Sequence, residues 1–206
     1  MTDSDIINVG VLASGRGSNF AALLAKQNDG YFAKAKLTCL ISNRAEAPAL
    51  EIAKTAGLDA YHVSRSAFPS HDSYEEEIKA ILEKHNVQWL ILAGYMKIIG
   101  PVLLSRFPNR VLNIHPALLP AFPGLHAQRQ ALEYGVRVSG CTVHFVDGGV
   151  DTGPIISQRT VEVLPGDTEQ SLSSRILEQE HELFAEALKA VTEGNWHIHG
   201  RRVIFE

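Results

Sequence analysis

An amide, an imidazole and a carboxylate stand in two short segments of this 206-residue chain: Asn113-Ile114-His115-Pro116, and Asp151 inside Val150-Asp151-Thr152-Gly153-Pro154. Alternate side chains of an extended segment share one face, so Asn113 and His115 project together. Pro116 offers no ladder donor and ends the strand. An Asp placed against such an imidazole orients it and favours its charged form. Together the three groups suit holding an oxyanion and moving a proton. On these residues alone, a capped strand end with a hydrogen-bonded core His explains the pattern equally well.

Three other places carry chemical residues. Ala13-Ser-Gly15-Arg-Gly17-Ser-Asn19 joins a buried strand to a helix. Glycines let a backbone approach a ligand, and a helix start offers free N–H groups to an anion. The run lacks the full Gly-x-Gly-x-x-Gly spacing and the Lys of a P-loop, so a phosphate site and a tight turn capped by Ser18 stand level. Tyr95-Met96-Lys97-Ile98-Ile99 follows another buried strand, at the edge where open α/β sheets bind ligands. Met96, Ile98 and Ile99 suit an apolar slot for a flat ring, or ordinary core packing. Glu180 falls in line with the apolar stripe of Leu172, Ile176, Leu183 and Ala187. A carboxylate there must find a partner or reach water at the stripe's edge. His62, His85, His144, His181, His197 and His199 read as structural or surface, and the Glu75-Glu76-Glu77 run as solvated.

The elements that must position these residues alternate. Residues 6–13, 37–42, 60–63, 89–93 and 111–114 read as strands, and 18–27 and 48–56 as helices between them. Ser73-Tyr-Glu-Glu76 fits a capping box that opens a third helix through Ile78, Ile81 and Leu82. This order predicts an α/β fold with one doubly wound, mostly parallel sheet. The second half changes: a helix over 127–134 stopped by Gly135, longer strands over 138–146 and 154–163, a helix over 168–191, and a terminal hairpin around Gly200. Antiparallel strands are expected there.

The chain is 45% hydrophobic and 20% charged with net charge −4, which is ordinary for a soluble domain and disfavours nucleic acid as a partner. No apolar run reaches the roughly 18 residues of a membrane span. The start, Met1-Thr-Asp-Ser-Asp5, lacks a secretory pattern. Cys39 and Cys141 sit in strand-like runs, as reduced core residues of a cytoplasmic protein do. No His or Cys cluster has zinc spacing, so no metal is expected.

The runs Asn113-Ile-His-Pro-Ala-Leu-Leu-Pro120, Phe122-Pro-Gly-Leu-His126, Gly140-Cys-Thr-Val-His-Phe-Val146 and Asp151-Thr-Gly-Pro154 resemble the folate-dependent formyltransferases, and the resemblance extends from Val9 to about Val191. It implies a Rossmann-like domain over 1–206, with a phosphate-binding half over about 1–107 and a folate and catalytic half over about 108–206. It implies transfer of the formyl group of 10-formyltetrahydrofolate, the co-substrate, to the amine of glycinamide ribonucleotide in purine synthesis, with no covalent intermediate. The matching positions make Asn113, His115 and Asp151 catalytic, set Gly17, Ser18 and Asn19 at the substrate phosphate, and set Glu180 at the sugar hydroxyls. His71, Met96, Lys97, Ile98, Ile99 and Asn113 fall to the folate. Two of these depart from the family pattern, which has Arg in place of Lys97 and His71; Lys lacks the planar fork that grips a carboxylate. Gly148 replaces an acidic residue common near the catalytic Asp. Methionyl-tRNA formyltransferases add a C-terminal tRNA domain and formyltetrahydrofolate hydrolases an N-terminal regulatory domain, and neither is expected here. A binding protein for a phosphorylated metabolite is the remaining alternative. The partners implied are two small molecules, with the chain a monomer or homodimer and no membrane or nucleic acid involved.

Overall fold

Strand and helix alternate through the first half: β1 (Ile7–Ala13), α1 (Ser18–Asn28), β2 (Ala35–Ser42), α2 (Pro48–Thr55), β3 (Asp59–His62), α3 (His71–Lys84), β4 (Trp89–Leu92), α4 (Pro101–Arg106) and β5 (Val111–His115). The second half holds α5 (Ala127–Tyr134), β6 (Val138–Phe145), β7 (Ile155–Glu162), α6 (Glu169–Glu193) and the hairpin β8 (Trp196–His199) with β9 (Arg202–Phe205). The computed structural model describes residues 6–206; the polar start at residues 1–5 lies outside them. One nine-stranded sheet runs in the order β3-β2-β1-β4-β5-β6-β7-β9-β8. Strands β1 to β5 pair in parallel, and β5 with β6 and β6 with β7 antiparallel. The expected doubly wound sheet with antiparallel strands in the C-terminal half is the one observed.

Helices cover both faces, so β1 is buried continuously from Val9 to Ala13. Val9, Val11 and Ala13 pack with Phe20 and Leu23 of α1 and Leu183, Phe184 and Leu188 of α6. Leu12, on the other face, packs with Tyr74, Ile78 and Leu82 of α3 and Leu103 of α4. Period two carries this through the sheet. Leu112, Ile114, Cys141, Val143 and Phe145 join the α6 side. Asn113, His115, Thr142 and His144 are thereby directed to the opposite face.

Two local readings change. Helix α3 starts at His71, with Ser70 as its N-cap and Ser73 completing the capping box. A Ser hydroxyl at the third helical position does the work that a Glu does in the common box, so the Glu-based signal points three residues late. Helix α4, six residues long, has too few turns to show a period, and its N-terminus is capped from elsewhere. Glu75 of α3 is 1% exposed and accepts from the backbone N–H of Gly100 at 2.5 Å and of Leu103 at 3.3 Å. The acidic run is therefore not wholly solvated: its first member points inward.

Candidate active site

The sheet order reverses between β1 and β4, and their C-terminal ends carry the two expected binding segments. After β1, Gly17 is the N-cap of α1 with φ 78°, and Ser18 is the first helical residue, so Ser18 does not cap the turn. A Cβ on Gly17 would lie 2.8 Å from the Cβ of Ala49, so the close approach that requires glycine is to α2. The first N–H groups of α1 have no partner within the helix, which leaves them to an anion. The segment after β4 is tied across the switch point. Ser14 Oγ accepts from Met96 N at 2.8 Å and donates to Asn43 Oδ1 at 2.6 Å, and Ser14 N donates to Gly94 O at 3.1 Å.

The phosphate turn differs from expectation at Asn19. Its side chain turns inward, and Nδ2 donates to Glu180 Oε2 at 2.8 Å. Glu180 is buried, and that burial raises its pKa to about 7 against the lowering effect of Asn19. It does not reach water at the edge of the stripe. Asn19 Oδ1 has no partner among the described residues. The two side chains form a buried polar pair with one amide oxygen unspent.

At the end of β5, Asn113 and His115 project together, as their spacing predicted, and both meet Asp151. His115 Nδ1 is 3.2 Å from Asp151 Oδ2, and Asn113 Nδ2 donates to Asp151 Oδ1 at 3.3 Å. His115 Nε2 donates to the Phe122 carbonyl at 2.8 Å, and Gly124 N donates to Asp151 Oδ2 at 2.8 Å. Both ring nitrogens of His115 thus face acceptors, a setting made for an imidazolium. Burial nevertheless pulls the His115 pKa below its ordinary value, against the raising effects of Asp151 and the Phe122 carbonyl. Asp151 shows the converse balance. Burial would raise its pKa, but His144, the Gly124 N–H and His115 together hold it below the usual carboxylate value. Asp151 sits at φ 53° and Phe122 at φ 54°, conformations that side chains other than glycine rarely adopt. Such residues gather at active sites, where the surroundings impose them. Gly153 is forced as well, since a Cβ there would lie 1.8 Å from the Phe145 carbonyl oxygen.

A further imidazole belongs to this group. His144, read from sequence as structural or surface, pairs opposite Asn113 in the β5–β6 register and is 2% exposed. Its Nε2 is 3.1 Å from Asn113 Nδ2 and 3.5 Å from Asp151 Oδ1. The signal was strand pairing, which a single stretch of sequence does not contain.

The expected folate residues divide. His71, Ile98 and Ile99 line a cavity of about 500 Å³ with Gly100, Pro101, Leu104 and Gly148. His71 Nε2 lies 3.4 Å from Glu75 Oε1, at the same buried carboxylate that caps α4. Met96 and Ile98 are 61% and 64% exposed, while Ile99 is buried in the core beside α3 and α4. Lys97 is exposed and, like Met96, lies outside that cavity's lining. Ile98 and Ile99 thus line that cavity together, Ile99 from the core side, while Met96 and Lys97 are exposed outside its lining.

Known proteins resemble this chain in sequence and fold. A trifunctional purine biosynthetic protein adenosine-3 of Drosophila pseudoobscura pseudoobscura is 45% identical over 187 residues, 90% of this chain and 14% of that protein. A phosphoribosylglycinamide formyltransferase of Mycobacterium tuberculosis is 44% identical over 191 residues, 93% of this chain and 87% of that protein. The crystal structure of glycinamide ribonucleotide transformylase 1 from Symbiobacterium toebii superposes with a TM-score of 0.96 at 48% identity, over 98% of this chain and 95% of that one. This chain spans a small part of the trifunctional relative and most of the other two. Residues 7–188 match the formyl transferase family, and the chain belongs to it.

Proposed function

We propose that the protein transfers the formyl group of 10-formyltetrahydrofolate to the amine of 5'-phosphoribosylglycinamide. The observation that carries this is the contact of His115 Nδ1 with Asp151 Oδ2 at 3.2 Å, beside Asn113 on the same strand end. The substrate phosphate is held by the start of α1 at Gly17, Ser18 and Asn19, mostly through backbone N–H groups, since the Asn19 side chain is turned to Glu180. Glu180 receives the sugar hydroxyls. The folate occupies the region of His71, Met96, Lys97, Ile98, Ile99 and Asn113, with the cavity beside His71 receiving part of it. The two binding segments are roped together at Ser14, which keeps the two substrates in register.

The amine nitrogen attacks the formyl carbon, forming the new C–N bond and a tetrahedral oxyanion. Asn113 and His115 donate to that oxygen, for which the formyl oxygen competes with the Phe122 carbonyl at His115 Nε2. Asp151 receives the amine proton, directly or through water. The bond to the folate nitrogen then breaks, that nitrogen takes up a proton, and tetrahydrofolate leaves. No covalent enzyme intermediate is needed. The small-molecule partners follow from this chemistry. The free, buried Cys39 and Cys141 fit a reducing compartment, the cytoplasm. Among the described residues no helix is long and apolar enough to cross a membrane.

The test is incubation with both substrates and mass analysis of the ribonucleotide, which should gain one formyl group as tetrahydrofolate appears. Tetrahydrofolate with formate, and no formylated amine, would make the protein a hydrolase instead. Asn113→Ala should lower turnover by about 100- to 1,000-fold, the usual loss for one oxyanion donor.

A further inference from the structure

We infer that His144 is a positioning residue for formyl transfer: it takes one N–H of the Asn113 amide at its Nε2 and so presents the other to the reacting carbonyl. The inference rests on the function proposed above. The contacts favour one set of proton positions. His144 Nδ1 lies 2.7 Å from the Phe145 carbonyl oxygen, which only accepts, so Nδ1 carries the ring proton. In the neutral ring Nε2 then offers a lone pair, and Asn113 Nδ2 stands nearest to it at 3.1 Å, closer than Asp151 Oδ1 at 3.5 Å. The second Asn113 N–H points to Asp151 Oδ1 at 3.3 Å, the longer of the two bonds. It is the one released to an oxyanion, most readily once Asp151 has taken the amine proton and become a weaker acceptor. The reversed amide would set Asn113 Oδ1 against the His144 lone pair and the Asp151 carboxylate, two acceptors with no donor between them. His144 and Asp151 therefore select one face of the Asn113 amide.

The backbone supports this aim. Strand β6 pairs regularly with β7 up to Val143, and the register shifts between Val143 and His144. Bulges of this kind redirect a side chain, often beside an active site. His144 is nearly fully buried, so its orientation is set by this contact and by Phe145 rather than by solvent.

Three variants separate positioning from bulk. His144→Gln keeps an acceptor near the Nε2 place, whereas His144→Asn and His144→Phe remove it. His144→Asn and His144→Phe should lower kcat by about 100-fold, the scale of a misplaced catalytic group, with both KM values within about three-fold of wild type. His144→Gln should recover most of the lost turnover. Equal losses in all three variants, or losses confined to KM, would overturn the proposal. Should the Phe variant not fold, ring nitrogen NMR of the wild type at pH 8 decides alone: a proton on Nδ1 and a free Nε2 are required, and the opposite tautomer overturns the inference. Failure of the functional reading shows separately, as wild-type protein that forms no formylated product while the ring tautomer is as stated.

Discussion

At His115 two influences of opposite sign meet, and in the proposed mechanism their balance bears on the working pH. Desolvation lowers its pKa, while Asp151 and the Phe122 carbonyl raise it without overcoming burial. A charged His115 therefore exists over a range that ends below the ordinary imidazole value. The attacking amine needs to be neutral, which higher pH favours. The rate should pass through a maximum whose limbs belong to the coupled His115–Asp151 pair and the amine, not to single residues. In Asp151→Asn the raising influence is lost, so His115 gives up its proton sooner and the basic limb moves to lower pH. pH–rate profiles of both proteins at saturating folate decide this. A basic limb that stays or moves upward removes Asp151 from the role of holding that charge. The shared face of Asn113 and His115 was legible in their spacing along one strand, and the proximity of Asp151 only through the resemblance of its loop motif. His144 was not legible, because its partner lies across a strand pairing, and neither was the depth of burial at His115.

At the scale of elements, the start of α1 and the cap of α4 can each be tested against one of the proposed substrates. Helix α1 has no acidic residue in its first turn. Ser18→Asp would complement the helix dipole, a gain of about 0.3–1 kcal/mol, yet would repel a phosphate at the same N–H groups. The expected outcome is an unchanged or raised melting temperature, a ribonucleotide KM raised about ten-fold or more, and an unchanged folate KM. An unaltered ribonucleotide KM would make the turn merely structural. Gly17→Val is a poorer probe, since its Cβ collides with Ala49 and disturbs packing with α2. At α4, Glu75→Ala strands the N–H groups of Gly100 and Leu103, at a cost of about 1–3 kcal/mol. Gly100 and Pro101 wall the cavity beside His71. The folate KM should rise with the ribonucleotide KM unmoved, and steady-state titration of each substrate checks it. Helices with several turns announced themselves by period and caps. Helix α4 did not, because its cap is supplied by a residue of α3, 25 positions earlier in the chain than Gly100.

The whole molecule shows how sequence and fold divide the information. The alternation of strands and helices carried the parallel half and the C-terminal change to antiparallel pairing. The sheet order, with β9 inserted beside β7 through Ile155 and Arg202, is a long-range outcome that local patterning leaves open. The same holds for Glu180, whose place in an apolar stripe was plain but whose partner, Asn19, lies 161 residues away. That pair gives a test of the global fold. The Glu180 pKa is raised by burial from 4.5 to about 7. A group with a raised folded-state pKa contributes stability that is fully present below its unfolded value and is lost as pH rises through its folded value. Wild-type stability should therefore decline between about pH 4.5 and 7 by on the order of 3 kcal/mol, at about 1.4 kcal/mol per pKa unit, on top of whatever other groups contribute. Glu180→Gln keeps an acceptor for Asn19 Nδ2 and offers N–H groups to the unpartnered Asn19 Oδ1, with no charge to desolvate. The variant should be more stable than wild type at pH 8, and the two should converge at pH 5, in urea denaturation without substrates. It should also bind the ribonucleotide less well, because the anionic acceptor proposed for the sugar hydroxyls is gone. Together these outcomes would mark Glu180 as a site where stability is given up for binding. Parallel stability curves for the two proteins from pH 5 to 8 would show that Glu180 does not titrate in this window. An unchanged ribonucleotide KM would remove it from the substrate site.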